Sequence, residues 1–283
     1  MRDDYAVFIL SHGRADNVKT FKTLKRQGYT GDIFFILDNE DETADEYIER
    51  FGKERIIIFD KKATAKYVDT ADLSDDNRAV VFARNVCFDI ANIMGLKYFL
   101  MLDDDYSAFS CRYEDGEHLR SRQFKSLDKL FSYVFDFLDD TGALTVALAQ
   151  GGDFMGGALN DFWRKKVKRK AMNTFFCNAR KPFEFPGRIN EDVNMYTLLG
   201  NRGELILSVA DANIVQTETQ KASGGLTDIY LDLGTYVKSF YSVIFSPQCV
   251  KIAPMGRKNF RVHHAITWDK CTPKIISDKY KRC

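Results

Sequence analysis

The sequence of 283 residues predicts an α/β fold in which a mixed, mostly parallel β-sheet carries helices on both faces. Short apolar runs that end in polar residues recur along the first hundred residues, which is typical of buried strands. Amphipathic stretches with a helical period separate these runs, and strand–helix alternation indicates parallel pairing. The hydrophobic content of 45% is ordinary for a globular protein, and we expect no membrane-spanning segment.

The first hundred residues supply the parallel part of the predicted sheet. We predict strands at 5–10, 33–37, 55–59 and 99–102, and helices at 16–27, 43–51 and 78–94. Gly95 is placed to end the last of these helices. Beyond residue 105 the pattern loosens to a helix at 127–138, a strand at 143–149, a glycine-rich turn at 151–157, a short helix at 191–199 and a strand at 204–209. The last third has no clear period, and we expect it to be irregular.

The fourth apolar run ends in three consecutive acids, Asp103, Asp104 and Asp105. A buried strand cannot hold three carboxylates in its interior, so we expect them at its exposed carboxyl end, where open α/β sheets bind ligands. Alternate residues of an extended chain face the same way, so Asp103 and Asp105 can share one divalent cation. At this point a solvated acidic turn accounts for the three residues equally well.

The net charge is only +1, but basic residues are concentrated in two segments. Residues 160–190 and residues 251–283 each contain nine Lys or Arg against two acids, which leaves the rest of the chain acidic. This distribution predicts a surface for a polyanion, although either run alone could be a solvated face. The six cysteines form no Cys-x-x-Cys pair, so we expect free thiols. The N-terminus has no signal-peptide pattern, so we expect a cytoplasmic protein.

Three blocks of sequence carry a resemblance to a known family. They are FILSHGRADNVKTFKTL followed by FFILDNED, then ARNVCFDIANIMGLKYFLMLDDD, and then INEDVNMYTLLGNRG. In this order and spacing they resemble the metal-dependent nucleotide-sugar glycosyltransferases of the GT-A fold, and within that class the phage-type TET-associated glycosyltransferases, which place a sugar on hydroxymethylated pyrimidines of DNA. The resemblance implies a single GT-A domain over residues 1–283, with a nucleotide-binding half at 1–105 and an acceptor-binding half at 106–283. If the protein is phage-encoded, its compartment would be the host cytoplasm.

The resemblance implies a UDP-sugar donor and a Mn²⁺ or Mg²⁺ cofactor. The implied nucleotide contacts are Ser11, His12, Gly13, Arg14, Asp38, Arg84, Asn85 and Asp104. Asp38 would accept a hydrogen bond from uracil or ribose, and Arg84 with Asn85 would face the nucleotide and the acids. From the residues alone, Asp38 could equally belong to a polar turn, and Arg84 could be a surface residue paired with a nearby acid.

The metal ligands implied by the resemblance are Asp103 and Asp105, with a C-terminal histidine as the third. The cation would neutralise charge on the departing diphosphate. Either His263 or His264 could complete the site, and we lean to His263. A nitrogen ligand would favour Mn²⁺. The histidine pair could also be structural or bind DNA phosphate.

Glu191 and Asp192 match the acidic motif of the family's acceptor side. The match implies that Asp192 acts as a general base and activates the acceptor hydroxyl. It also implies that the sugar is transferred by direct displacement, with inversion of configuration. Alternatively, Asp192 is an acid at a helix N-terminus, stabilised by the helix dipole behind an Asn190 cap.

The acceptor would be DNA, held by its phosphates. The residues expected to contact phosphates are Arg164, Lys165, Lys166, Lys168, Arg169, Lys170, Arg257, Lys258 and Arg261. Phe154, Trp163 and Trp268 could stack a flipped base, although such residues more often pack in cores. A saccharide or protein acceptor, a non-catalytic nucleic-acid-binding protein and a nucleotidyltransferase remain as alternatives, and the oligomeric state stays open.

Overall fold

The alternation of strands and helices predicted for the first hundred residues is present in the computed structural model, which describes residues 2–72, 79–216, 226–255, 261–271 and 276–281. The elements in this half are β1 (Tyr5–Leu10), α1 (Lys19–Arg26), β2 (Ile33–Asp38), α2 (Ala44–Phe51), β3 (Ile56–Phe59), α3 (Lys61–Ala65), α4 (Val81–Ile93) and β4 (Tyr98–Asp103). All four predicted strands are confirmed to within one residue at each end.

The second half contains more regular structure than the sequence pattern predicts. Its elements are β5 (Tyr106–Asp115), β6 (His118–Gln123), α5 (Leu127–Thr141), β7 (Thr145–Ala149), α6 (Asp161–Lys165), β8 (Val167–Lys168), β9 (Phe175–Asn178), α7 (Glu191–Asn201), β10 (Ile206–Gln216), α8 (Leu226–Phe245), β11 (Val250–Met255), β12 (Arg261–Ile266) and α9 (Trp268–Cys271). The expectation of an irregular last third is therefore wrong. Non-helical backbone at Gly234, where φ is 76°, interrupts α8 and obscures its period. The β11–β12 hairpin joins strands that carry Lys, Arg and His, so its apolar alternation is weak.

One large mixed sheet organises the molecule, in the order β3-β2-β1-β4-β9-β7-β10-β5-β6, with β8 paired to β10. The strands β3, β2, β1 and β4 run parallel, and β7 is parallel to β10, while the remaining pairs are antiparallel. Alternate residues of β1 enter different cores: Val7 and Ile9 pack under α1, α2 and α5, whereas Ala6 and Phe8 pack under α4 and α7. Helices thus cover both faces, which confirms the predicted α/β class.

The parallel strands bring their carboxyl ends to one edge of the sheet. Leu10 at the end of β1 lies opposite Ile36 of β2 on one side and Asp103 of β4 on the other. The polar residues that follow these strands therefore share one crevice. Within the described ranges no helix is long and apolar enough to cross a membrane, and the five cysteines found there are free thiols.

Candidate active site

The acid cluster lies where the sequence pattern places it, at the end of a buried strand. Residues 98–102 of β4 are fully enclosed, and the strand ends at Asp103, whose side chain is 27% exposed. Thr20 of α1 fixes the turn that follows. Its hydroxyl donates to the Asp103 carbonyl at 2.5 Å and its amide donates to the Asp104 carbonyl at 3.0 Å. The sequence carries no signal that assigns this role to Thr20.

Asp104 turns inward and connects β4 to the loop after β1. Its carboxylate accepts from the Ser11 hydroxyl at 2.6 Å and from Arg14 Nη1 at 3.1 Å. The Ser11 hydroxyl also lies 2.6 Å from the hydroxyl of Tyr47 on α2. The middle acid thus holds the loop after β1 in place.

Asp105 is the acid whose charge is least compensated. Burial raises its pKa to about 7, and the neighbouring carboxylates of Asp103 and Asp104 add to the shift, while Arg14 opposes it. Two carboxylates that repel one another at a partly open strand end are suitable oxygen ligands for a hard divalent cation. Asp103 and Asp105 therefore fit Mg²⁺ or Mn²⁺ by their donor chemistry. Among the residues that the structure describes, no group of three or more His, Cys, Asp or Glu is arranged to hold a metal.

One buried guanidinium connects the acid cluster to α7. Arg84 of α4 is 2% exposed, and it donates from Nη2 to Asp103 at 2.9 Å and from Nε to Glu191 at 2.8 Å. Its Nη1 is buried without a hydrogen-bond partner. The rings of Phe175 and Phe185 lie 5.0 and 5.8 Å from the guanidinium carbon. Arg84 is thus a buried bridge between two acids that lie far apart in sequence, and it is not a surface helix residue.

Glu191 and Asp192 open α7, and both are buried. The amide of Val193 donates to Asp192 at 2.7 Å. Burial raises the pKa of the Asp192 carboxyl, and the adjacent Glu191 raises it further, while Arg84 lowers it. Asp192 is therefore a stronger base than an exposed carboxylate.

Asn190 does not cap α7 with its side chain, contrary to the sequence-based alternative. It adopts left-handed backbone at φ 57°. Its amide nitrogen donates to the Lys238 carbonyl at 2.8 Å and to the Ser242 hydroxyl at 3.2 Å, and it lies 3.4 Å from His264 Nδ1. Asn190 thus joins the start of α7 to α8 and β12.

The two histidines of β12 lie side by side, with their ring centroids 4.2 Å apart. His264 Nδ1 lies 3.4 Å from the amide nitrogen of Asn190, the residue that precedes Glu191 and Asp192. This contact places His264 beside the start of α7. The role of His263 as a metal ligand stays a prediction.

The carboxyl end of β2 forms a second polar cluster around Asp38. His12 Nδ1 lies 2.8 Å from Asp38 Oδ2, and Lys61 Nζ lies 2.7 Å from Asp38 Oδ1. Gly13 donates its amide to Asp41 at 2.9 Å. Lys61 is 5% exposed, and sequence reasoning missed it. Its position just after the third parallel strand is the signal that could have identified it.

Asn85 lies elsewhere than the resemblance implies. Its amide donates to the carbonyls of Val81 and Phe185, and its Oδ1 accepts the Phe185 amide at 2.9 Å. These bonds anchor the segment before α7 to α4. The side chain therefore positions backbone, and its expected contact with the nucleotide has no support in this geometry.

The first basic segment is largely paired with nearby acids. Lys165 lies 2.8 Å from Asp161, and Lys166 lies 3.1 Å from Asp211 and also over the Trp163 ring. Arg164 is exposed, whereas Arg169 is partly buried. These placements leave Arg164, Lys165 and Lys166 accessible to a polyanion.

Lys170 is a correction to the set of predicted phosphate contacts. Its side chain is 12% exposed and pairs at 2.5 Å with Asp153, which is itself buried. A lysine in such a pair is part of the structure of its loop. The side chains of Lys168 and Arg261, and the whole of Arg257 and Lys258, lie outside what the structure describes.

The three aromatic residues considered as base platforms pack within the protein. Phe154 and Trp163 are buried in one apolar cluster, and Trp163 Nε1 donates to Glu114. The ring of Trp268 stacks on Tyr196 with a centroid distance of 5.7 Å. These contacts support the ordinary packing role for all three.

The chain matches a known family over most of its length. A model of the TET-associated glycosyltransferases matches residues 5–225, a range that includes β1 through β10 and both acid clusters. The chain belongs to this family. It is therefore a glycosyltransferase, and the alternative hypotheses of a non-catalytic nucleic-acid-binding protein and a nucleotidyltransferase are excluded. No curated protein matches the sequence.

Similarity to solved structures is distant. Glucosyl-3-phosphoglycerate synthase from Mycobacterium tuberculosis, solved with Mg²⁺ and uridine diphosphate, is 10% identical over 93% of this chain and 87% of that one, with a TM-score of 0.45. S. aureus TarS is 10% identical over 74% of this chain and 59% of that one, with a TM-score of 0.42. The assignment of this glycosyltransferase rests on the family match and not on these likenesses.

Proposed function

We propose that this glycosyltransferase transfers a sugar from a UDP-sugar to a hydroxymethylated pyrimidine of DNA, with Mn²⁺ or Mg²⁺ held by Asp103 and Asp105. The observation that carries the proposal is the Arg84 bridge, which joins Asp103, a metal-competent acid, to Glu191 at the start of α7. Donor-side and acceptor-side groups of the expected chemistry thereby meet at one edge of the sheet.

The strand order supports a nucleoside diphosphate lying across that edge. The strands β2 and β4 flank β1, so their ends lie two strand spacings apart, roughly 10 Å. The diphosphate would lie at Asp103 and Asp105 beyond β4, and the base would lie at the His12–Asp38 cluster beyond β2. The bound cation supplies charge neutralisation at the departing diphosphate.

The side chains of this protein provide the remaining electrostatics. The buried guanidinium of Arg84 lies between Asp103 and Glu191 and balances part of their negative charge. Asp192, whose pKa burial raises, would accept the proton of the acceptor hydroxyl at near-neutral pH. A carboxylate base on the acceptor side supports direct displacement and hence inversion.

DNA as the acceptor is supported by the exposed cations of the first basic segment. Arg164, Lys165 and Lys166 can reach a phosphate backbone, which positions a duplex without reading its sequence. A target base within a duplex must be flipped to reach the sugar. A saccharide or protein acceptor is the competing proposal, because the local acids reduce the net charge of this surface.

The direct test is a panel of nucleotide sugars offered with hydroxymethylated and unmodified DNA, followed by nucleoside mass spectrometry and NMR of the anomeric configuration. We expect a metal-dependent sugar adduct only on hydroxymethylated DNA, with inverted configuration. Transfer to a saccharide but not to DNA would overturn the acceptor, whereas retained configuration would overturn single displacement with Asp192 as base.

A further inference from the structure

We infer that His12 reads the nucleobase of the sugar donor, and that its Nε2 accepts the imino N–H of a uracil-type base. Asp38 stands behind His12 as a positioning residue and does not touch the base. The inference rests on the proposed donor class and assigns its base specificity to a particular atom.

Asp38 is poorly placed to contact a base itself. It is 7% exposed, and its Oδ1 accepts from Lys61 Nζ at 2.7 Å and from the Glu40 amide at 3.0 Å. Its Oδ2 faces His12 Nδ1 at 2.8 Å. A carboxylate has about four lone-pair positions, and three of these are occupied from within the protein.

His12 offers an accessible hydrogen-bond acceptor, its ring nitrogen Nε2. An ionised carboxylate can only accept, so the 2.8 Å contact places the proton of the neutral imidazole on Nδ1. The second nitrogen, Nε2, then carries a lone pair and is a hydrogen-bond acceptor. The His12 side chain is 47% exposed, so this acceptor is available to a ligand.

The loop that carries His12 is fixed on both sides. Before it, the Ser11 hydroxyl is bound to Asp104, the middle acid of the metal-competent cluster. After it, the Gly13 amide is bound to Asp41. A ring held in this way can discriminate between bases, because a misplaced partner cannot be accommodated by movement of the loop.

The charges around His12 set the direction of its pH dependence. Asp38 and Asp41 raise its pKa, with Asp38 the larger influence, while burial and Lys61 lower it, and the net effect is an increase above the usual value. When pH falls through this pKa, Nε2 gains a proton and becomes a donor. As a donor, Nε2 can no longer hydrogen-bond to the imino N–H of uracil, but it can donate to the unprotonated N3 of cytosine.

The test compares UDP with CDP, because the two share the diphosphate and differ in the base. Calorimetric titration with Mn²⁺ present should show that wild-type protein prefers UDP by about tenfold, the scale of one buried hydrogen bond left without its partner. In His12→Phe the preference for UDP over CDP should disappear, while the affinity for CDP should stay unchanged. His118→Phe is the matched control, because His118 lies exposed on the β5–β6 hairpin at the far end of the sheet. That variant should behave as wild type.

A pH series on the wild-type protein tests the same inference without any variant. The preference for UDP over CDP should shrink between about pH 8 and about pH 6. A preference that stays constant over this range overturns the role of Nε2. Retained preference in His12→Phe together with its loss in Asp38→Asn would instead show that Asp38 reads the base directly. If wild-type protein binds neither nucleotide, the donor proposal fails, and this result is distinct because it requires no change at His12.

Discussion

The acid cluster at residues 103–105 and the first basic segment at residues 160–190 both contain many charged residues, but these residues form different kinds of ion pair. Around the acids, two of the ion pairs, Arg14–Asp104 and Arg84–Glu191, join residues that are 90 and 107 positions apart. In the basic segment, Lys165 pairs with an acid only four positions away, and both side chains are mostly exposed. Buried pairs between distant elements fix a site, whereas exposed pairs within one short helix contribute little.

The sharpest test of this comparison separates two neighbouring acids. We expect Asp103→Ala and Asp105→Ala each to abolish sugar transfer, because each removes a predicted metal ligand. Asp103→Ala should also lower the free energy of unfolding by about 1–3 kcal/mol, because it leaves part of the buried Arg84 unpaired. Asp105→Ala should not destabilise the metal-free protein, because it relieves repulsion.

Transfer assays and chemical denaturation without metal would measure both effects. Equal stability losses for the two variants would contradict the distinct roles assigned to these acids. Full turnover in either variant would remove that residue from the metal site.

Asp192→Asn should reduce the transfer rate by about two to four orders of magnitude, the usual scale for a general base. Donor binding should be preserved, because the role proposed for Asp192 is to accept a proton from the acceptor hydroxyl. Single-turnover kinetics together with UDP titration would measure the two separately. Normal turnover would leave Asp192 as a buried helix acid with no chemical role.

The stability of the metal-free protein should depend on pH through Asp105. Its pKa is raised to about 7 in the folded state, so folding is favoured when this carboxyl is protonated. That contribution is complete below about pH 4 and is lost as pH rises through about 7. Denaturation across this range, with Asp105→Asn as control, should show a smaller decline in the variant. Addition of Mn²⁺ at neutral pH should restore stability to the wild-type protein only.

The smallest effect concerns the basic segment. Replacement of Arg164, Lys165 and Lys166 by Gln should weaken DNA binding and lower the slope of log affinity against log salt by at most about 2.7 for duplex. Stability should change by less than about 0.5 kcal/mol per site, because Arg164 and Lys165 are exposed and Lys166 is half-exposed.

Replacement of the exposed Lys22, Lys125 and Lys129 by Gln removes the same number of charges and is a control for net charge, since all three lie outside the basic segment. Fluorescence anisotropy over a salt series would measure the slopes. Identical slopes in the two variants and the wild type would show that residues 164–166 are a solvated surface, and a saccharide or protein acceptor would then gain support.

The sequence by itself determined the parallel strands and the position of the acids at their ends. Apolar runs must be buried, and three adjacent carboxylates cannot all lie inside a buried strand without partners, so the strand had to end at Asp103. Family membership also followed from the order of local motifs.

Only the tertiary structure decided which charged groups meet. One of the two partners of Arg84, Glu191, lies 107 residues away, and the carboxylate of Asp38 is occupied by Lys61 and His12 from two other elements. Asn85 matched the family motif, yet it serves to anchor backbone, and Lys170 belongs to a basic run, yet it is enclosed with Asp153. Spacing along a chain predicts which face of an element a side chain occupies, whereas its partner depends on the packing of elements that fold together from distant parts of the sequence.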